Sequence, residues 1–155
     1  NGTHSVDVAR FFLGEIAEVQ AMEGRRIQSL PVEDTAKMFL HSEGGVLGSI
    51  DLSWSVSKEL PYYIAAYGSA GTLLVGWRDS RYRRSGDAEW TIFGSGYDKH
   101  VAFTRQVDNF AGAVRGEEPL LVAPEDALAS VRVIEAAYRS LERGVWESTN
   151  PLASM

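Results

Sequence analysis

The chain has no cysteine, which excludes disulfide frameworks, thiolate zinc sites and cysteine nucleophiles and is compatible with a reducing, cytoplasmic home. Only three histidines occur, His4, His41 and His100, and no pair has the spacing of a metal-binding motif, so no metal site is expected. Positive charge is also in deficit. The balance of 15 Lys+Arg against 21 Asp+Glu gives a formal net charge of -6, which repels a phosphate backbone and argues against nucleic acid as a partner. No stretch approaches the roughly 18 consecutive apolar residues of a membrane-spanning helix, and no signal-peptide pattern is present, so a soluble protein without a membrane partner is expected. No glycine-rich fingerprint follows a strand and opens a helix, and no serine occupies a nucleophile-elbow pattern. Neither a dinucleotide site nor a serine hydrolase site is therefore expected on these residues.

What is present suits one domain: 155 residues, 45% of them hydrophobic, can bury a core of ordinary size. Over 4–13, Val6, Ala9, Arg10 and Leu13 recur at helical spacing, Thr3 is the expected N-cap and Gly14 the stop. Strands follow at 16–24, with Ala17, Val19 and Ala21 inward, and at 34–41, with Ala36, Met38 and Leu40 on one face. Glu43-Gly44-Gly45 turns the chain into a strand over 46–56, which alternates Ile50, Leu52, Trp54 and Val56 with Ser49, Asp51, Ser53 and Ser55. A second hairpin, 62–67 and 72–77, surrounds Gly68-Ser69-Ala70-Gly71, and a further strand is expected at 90–93. The charged stretch 78–89, with Arg78, Arg81, Arg83 and Arg84, reads as a solvated hairpin tip, with recognition of an anionic group as the alternative.

The final third changes period. Phe103, Val107, Phe110, Ala111 and Val114 make 101–115 an amphipathic helix. Pro124, Glu125 and Asp126 open another helix, whose stripe of Ala127, Leu128, Val131, Ile134, Tyr138 and Leu141 ends before Gly144. Residues 1–147 are expected to form the domain and 148–155 a loose tail. The fold class expected is α+β: an open, mostly antiparallel sheet with helices packed on one face. Trp54, Val56, Tyr62, Ile64, Tyr67 and Leu74 leave too much apolar surface for a sheet bare to water, so the other face is expected to meet another subunit or domain.

His4 stands at the mouth of the first helix, where the dipole favours the neutral ring, and a neutral imidazole can accept a proton from a hydroxyl near neutral pH. On the residues alone a surface or capping role is the first reading of His4 and proton transfer the alternative. Asp7, about one turn on, either orients the imidazole or serves the helix N-terminus. His41 and His100 have no assigned function.

The opening Asn1-Gly2-Thr3-His4-Ser5-Val6-Asp7-Val8-Ala9-Arg10, continued by Phe11-Phe12-Leu13-Gly14, resembles the start of the C-terminal domain of the glucose-fructose oxidoreductase and inositol dehydrogenase (Gfo/Idh/MocA) family. Glu33-Asp34-Thr35-Ala36, Gly44-Gly45-Val46-Leu47-Gly48-Ser49, Tyr67-Gly68-Ser69-Ala70-Gly71-Thr72 and the two closing helices follow in the family's order. The resemblance implies an NAD(P)-dependent oxidoreductase acting by hydride transfer on a sugar, polyol or related small molecule. In such an enzyme a Rossmann domain binds NAD or NADP, and this domain supplies a substrate wall and an oligomer interface through its open sheet face. It further implies that His4 is the histidine of a D-x-x-x-H element that handles the substrate hydroxyl, with Asn1 and Thr3 beside the substrate. The aspartate of that element is expected just before Asn1, and the glycine fingerprint and a catalytic lysine in the nucleotide domain. The chain alone is then expected to be inactive and to bind no cofactor. The competing expectation is a non-catalytic dimerisation or small-ligand-binding module.

Overall fold

The computed structural model describes residues 2–150, and the chain divides into two units, 1–57 with 122–155 and 58–121. In the first unit α1 (Gly2–Leu13) leads into β1 (Ile16–Glu23), β2 (Thr35–Ser42) and β3 (Leu47–Ser53). The unit closes, after the second unit's residues, with a helix at Pro124–Arg143 and a short strand at Glu147–Ser148. β2 shows why the sheet forms: Ala36, Met38, Leu40 and Ser42 are buried while Thr35, Lys37, Phe39 and His41 are half-buried, the period of two expected of it. β1 departs from simple alternation. Its register against β2 shifts between Ile16 and Glu18, so Ile16 and Val19 both reach the core and the expected inward Ala17 stays half-buried.

Helices α1 and Pro124–Arg143 cover one face of this antiparallel sheet. Val6, Val19, Leu40, Val133 and Ala136 meet at its centre, each at most 2% exposed. Burying one such Val or Leu side chain contributes about 1.5–3 kcal/mol. The opposite face is lined by polar cross-strand pairs: His41 Nδ1 lies 2.9 Å from Glu18 Oε1, Lys37 Nζ 3.1 Å from Asp51 Oδ1, and Thr35 Oγ1 2.8 Å from Ser53 Oγ. The apolar excess expected there is placed elsewhere. Trp54 and Val56 lie beyond the end of β3 and Tyr62 before the next strand, while Leu74 is buried.

The second unit carries β4 (Ile64–Gly68), β5 (Gly71–Val75), β6 (Ser80–Arg84), β7 (Thr91–Phe93) and α2 (Lys99–Val114). The closing helix at Pro124–Arg143 is α3 and the strand at Glu147–Ser148 is β8. The expected single sheet is thus two four-stranded sheets, ordered β3-β2-β1-β8 and β4-β5-β6-β7; the α+β class with open antiparallel sheets holds. Two sequence expectations need correction. The stretch 78–89 contains β6, because Ser80, Arg81 and Tyr82 continue the ladder from β5. Ser148, expected to open a loose tail, pairs with Glu18, and the Thr149 hydroxyl donates to Ile16 O at 2.6 Å; residues 151–155 lie outside the described residues.

Candidate active site on the first helix

Helix α1 is seated from two sides. Val6 enters the core, and Leu13 packs over Gly48 of β3, where an added Cβ would stand 2.6 Å from Leu13 Cδ1. Arg10, read in the sequence only as a stripe position, is the missed element of this region. It is buried, its Nη1 donates to Asp126 O at 2.8 Å and to Ser130 Oγ at 3.2 Å, and its Nη2 donates to Glu15 Oε1 at 2.6 Å. The sequence signal for it is an arginine four residues after the core Val6 and four before the terminating Gly14, a place on the inward face. Arg10 thus ties α1 to the N-terminal turns of α3 and to the start of β1.

Asp7 belongs to the same network: Ser130 Oγ donates to its Oδ1 at 3.2 Å. The structure therefore gives Asp7 to Ser130. His4 lies in the first turn, exposed, and its side chain makes no hydrogen bond to another described residue. Its stripe at i, i+4 and i+7 holds Val8 and Phe11; Phe11 is 83% exposed and stands edge-on to Phe12 at 5.2 Å. Thr3, expected as the N-cap, is the second residue of α1 and is exposed; Asn1 lies outside the described residues. Thr3 and His4 therefore share one open helix mouth, on a helix whose other face is locked by Arg10. An imidazole so placed can exchange a proton with a bound hydroxyl.

Residues 68–71 do not fit a dinucleotide. They join two antiparallel strands, and a Cβ on Gly71 would lie 2.3 Å from Arg83 O, so the turn is closed against β6 instead of opening onto a helix N-terminus. Among the described residues no three His, Asp or Glu side chains gather as metal ligands, and no helix is long and apolar enough to cross a membrane.

Residues 1–74 match the sequence model of the GFO/IDH/MocA C-terminal domain. No curated protein matches the chain in sequence. Among solved structures, an oxidoreductase from Agrobacterium radiobacter in complex with NAD+, L-tartaric acid and magnesium superposes with a TM-score of 0.82 at 20% identity, covering 99% of this chain and 48% of its own. An NAD-binding oxidoreductase from Klebsiella pneumoniae gives 0.83 at 18% identity, over 96% of this chain and 49% of its own. A levoglucosan dehydrogenase in complex with NADH and levoglucosan gives 0.81 at 15% identity, over 96% and 48%. This chain spans about half the length of these structures. Over residues 1–74 the chain resembles the GFO/IDH/MocA C-terminal domain in sequence, and over nearly its whole length it resembles about half of each of these oxidoreductases in fold.

Proposed function

We propose that this chain is the substrate-binding and oligomerisation part of a cytoplasmic NAD(P)-dependent oxidoreductase that acts on a sugar, polyol or related small molecule. The observation that carries this reading is the superposition of almost the entire chain on about half of several cofactor-bound oxidoreductases. The cofactor, supplying or accepting hydride, would be held by a Rossmann domain outside these residues, in agreement with the closed turn at Gly71. The apolar stripe of α2 supports a missing partner domain: Phe103, Val107, Phe110 and Val114 share one face and are each more than half exposed. An exposed helix face of this kind matches the half of the relatives' length that this chain does not span.

In this reading His4 takes or returns the proton of the substrate hydroxyl, and Asn1 and Thr3 border the substrate. Arg10 fixes the helix that presents them. Replacing His4 by Ala in the full-length enzyme should lower kcat by about 10²–10⁴-fold while cofactor affinity stays within about twofold; undiminished turnover would return His4 to a surface role. Self-association is assigned to the open face of β1, β2 and β3, whose polar pairs give a wet interface. Light scattering on the full-length protein should then report a dimer or larger, and a monomer at micromolar concentration would remove this part of the reading.

A further inference from the structure

Strand β6 reads Ser80-Arg81-Tyr82-Arg83-Arg84, three arginines in five residues of a chain with net charge -6. Strand alternation places Arg81 and Arg83 on the same face, roughly 7 Å apart along the chain. One indole braces both: the Trp90 ring centroid lies 5.5 Å from the Arg81 guanidinium carbon and 5.1 Å from that of Arg83. Asp87 and Glu89 stand in the same β6–β7 connection, yet among the described residues neither arginine has a carboxylate within ion-pairing distance. The register adds hydroxyl groups. Tyr67 pairs with Thr72 and Thr72 with Arg83, so the three stand in one cross-strand row, and all three line an open cleft of about 340 Å³.

These features have a common chemical reading. A guanidinium drawn to an aromatic ring by a cation–π contact keeps N–H groups that the ring does not engage, and its planar fork can grip an oxyanion with two hydrogen bonds. Bracing the side chains in advance reduces the rotamer entropy lost on binding. Two adjacent cations without counter-charges repel each other, and a bound dianion relieves that repulsion. The Thr72 hydroxyl offers a further donor beside Arg83, while the Tyr67 hydroxyl is hydrogen-bonded to that of Tyr62 and borders the cleft. A polyanion such as nucleic acid is opposed by the chain's overall negative charge, which leaves a small ligand with one concentrated charge.

We propose that Arg81 and Arg83, braced by Trp90 and flanked by Thr72 and Tyr67, form a binding site for the phosphate group of a small phosphorylated molecule. The site lies wholly within residues 58–121 and stands independently of the redox reading, so either assignment can fail without the other. The test is a titration of the chain, followed by calorimetry and by tryptophan fluorescence, with pyrophosphate and with glucose 6-phosphate, glucose serving as the uncharged control and sodium chloride holding the ionic strength constant. Saturable binding of both phosphorylated probes and none of glucose is expected. The double substitution Arg81→Gln with Arg83→Gln should weaken binding at least about tenfold. Arg83→Lys keeps the charge and removes the planar fork; several-fold weaker binding by this conservative variant is expected. Absence of a response beyond that of sodium chloride, equal binding of glucose, or wild-type affinity in both variants would overturn the assignment.

Discussion

At the scale of single residues, the polar groups that this fold buries are each given a fixed task. Asp34 is 2% exposed, and its Oδ2 accepts the Ile27 and Gln28 amides, each at 2.7 Å, which pins the long connection between β1 and β2. The Gln28 amide, opposed by burial and joined by the Ile27 amide, holds the Asp34 carboxyl below the usual carboxylate range. A folded-state value below the unfolded one means stability that is present above the unfolded pKa of about 4 and is lost as pH falls through the folded value. The wild-type melting temperature should therefore drop more steeply below about pH 4 than that of Asp34→Asn, which has no such proton to take up. Parallel melting curves for the two proteins from pH 6 to pH 2.5 would show that Asp34 does not carry the acid sensitivity. The sequence placed Asp34 at the start of a strand but could not reveal its partners, because two amides six and seven residues upstream become donors only when the loop folds back.

At the scale of elements, legibility followed how completely each segment is buried on one side. β2 alternates because α1 and α3 cover one face and leave the other open, so its pattern was readable directly. α3 was readable for the same reason, with Pro124 at its first position and Gly144 in the left-handed conformation, φ 73°, at its end. β6 was hidden because Arg81 and Arg83 occupy strand positions that rules of composition give to loops. α2 was recognised as a helix but not by its packing: its apolar stripe is exposed, whereas Asn109 and Gly112 are buried. Asn109 Nδ2 donates to Glu118 Oε2 and Pro119 O, and its Oδ1 accepts from Leu121 N, which folds the following loop against the helix. A contrast of substitutions follows from this inversion. Phe110→Glu should change the unfolding free energy of the isolated chain by less than about 0.5 kcal/mol, while Leu40→Ala in the first unit's core should cost about 2–5 kcal/mol. Urea denaturation compares them, and a large loss from Phe110→Glu would mean that the α2 stripe is packed in solution.

At the scale of the whole molecule, the two units differ in how much apolar surface they bury on their own. The residues around Val6, Val19, Leu40 and Val133 form a continuous core in the first, whereas among the described residues of 58–121 Leu74 is the one buried hydrophobic side chain and none is fully buried. Buried apolar contacts set the free energy of local opening, so the second unit should open more readily than the first. Hydrogen exchange followed by mass spectrometry should find the amides of β5 and β6 exchanging well before those of β1 and β2 in the isolated chain. If the chain is part of a longer enzyme whose nucleotide-binding domain covers the α2 stripe, as proposed, peptides covering Lys99–Val114 should become more protected in that longer protein, with β1 and β2 little changed. Equal exchange of 58–121 in both contexts would break the link between the exposed stripe and a missing partner, and with it the structural support for a two-domain enzyme that is independent of the fold comparisons.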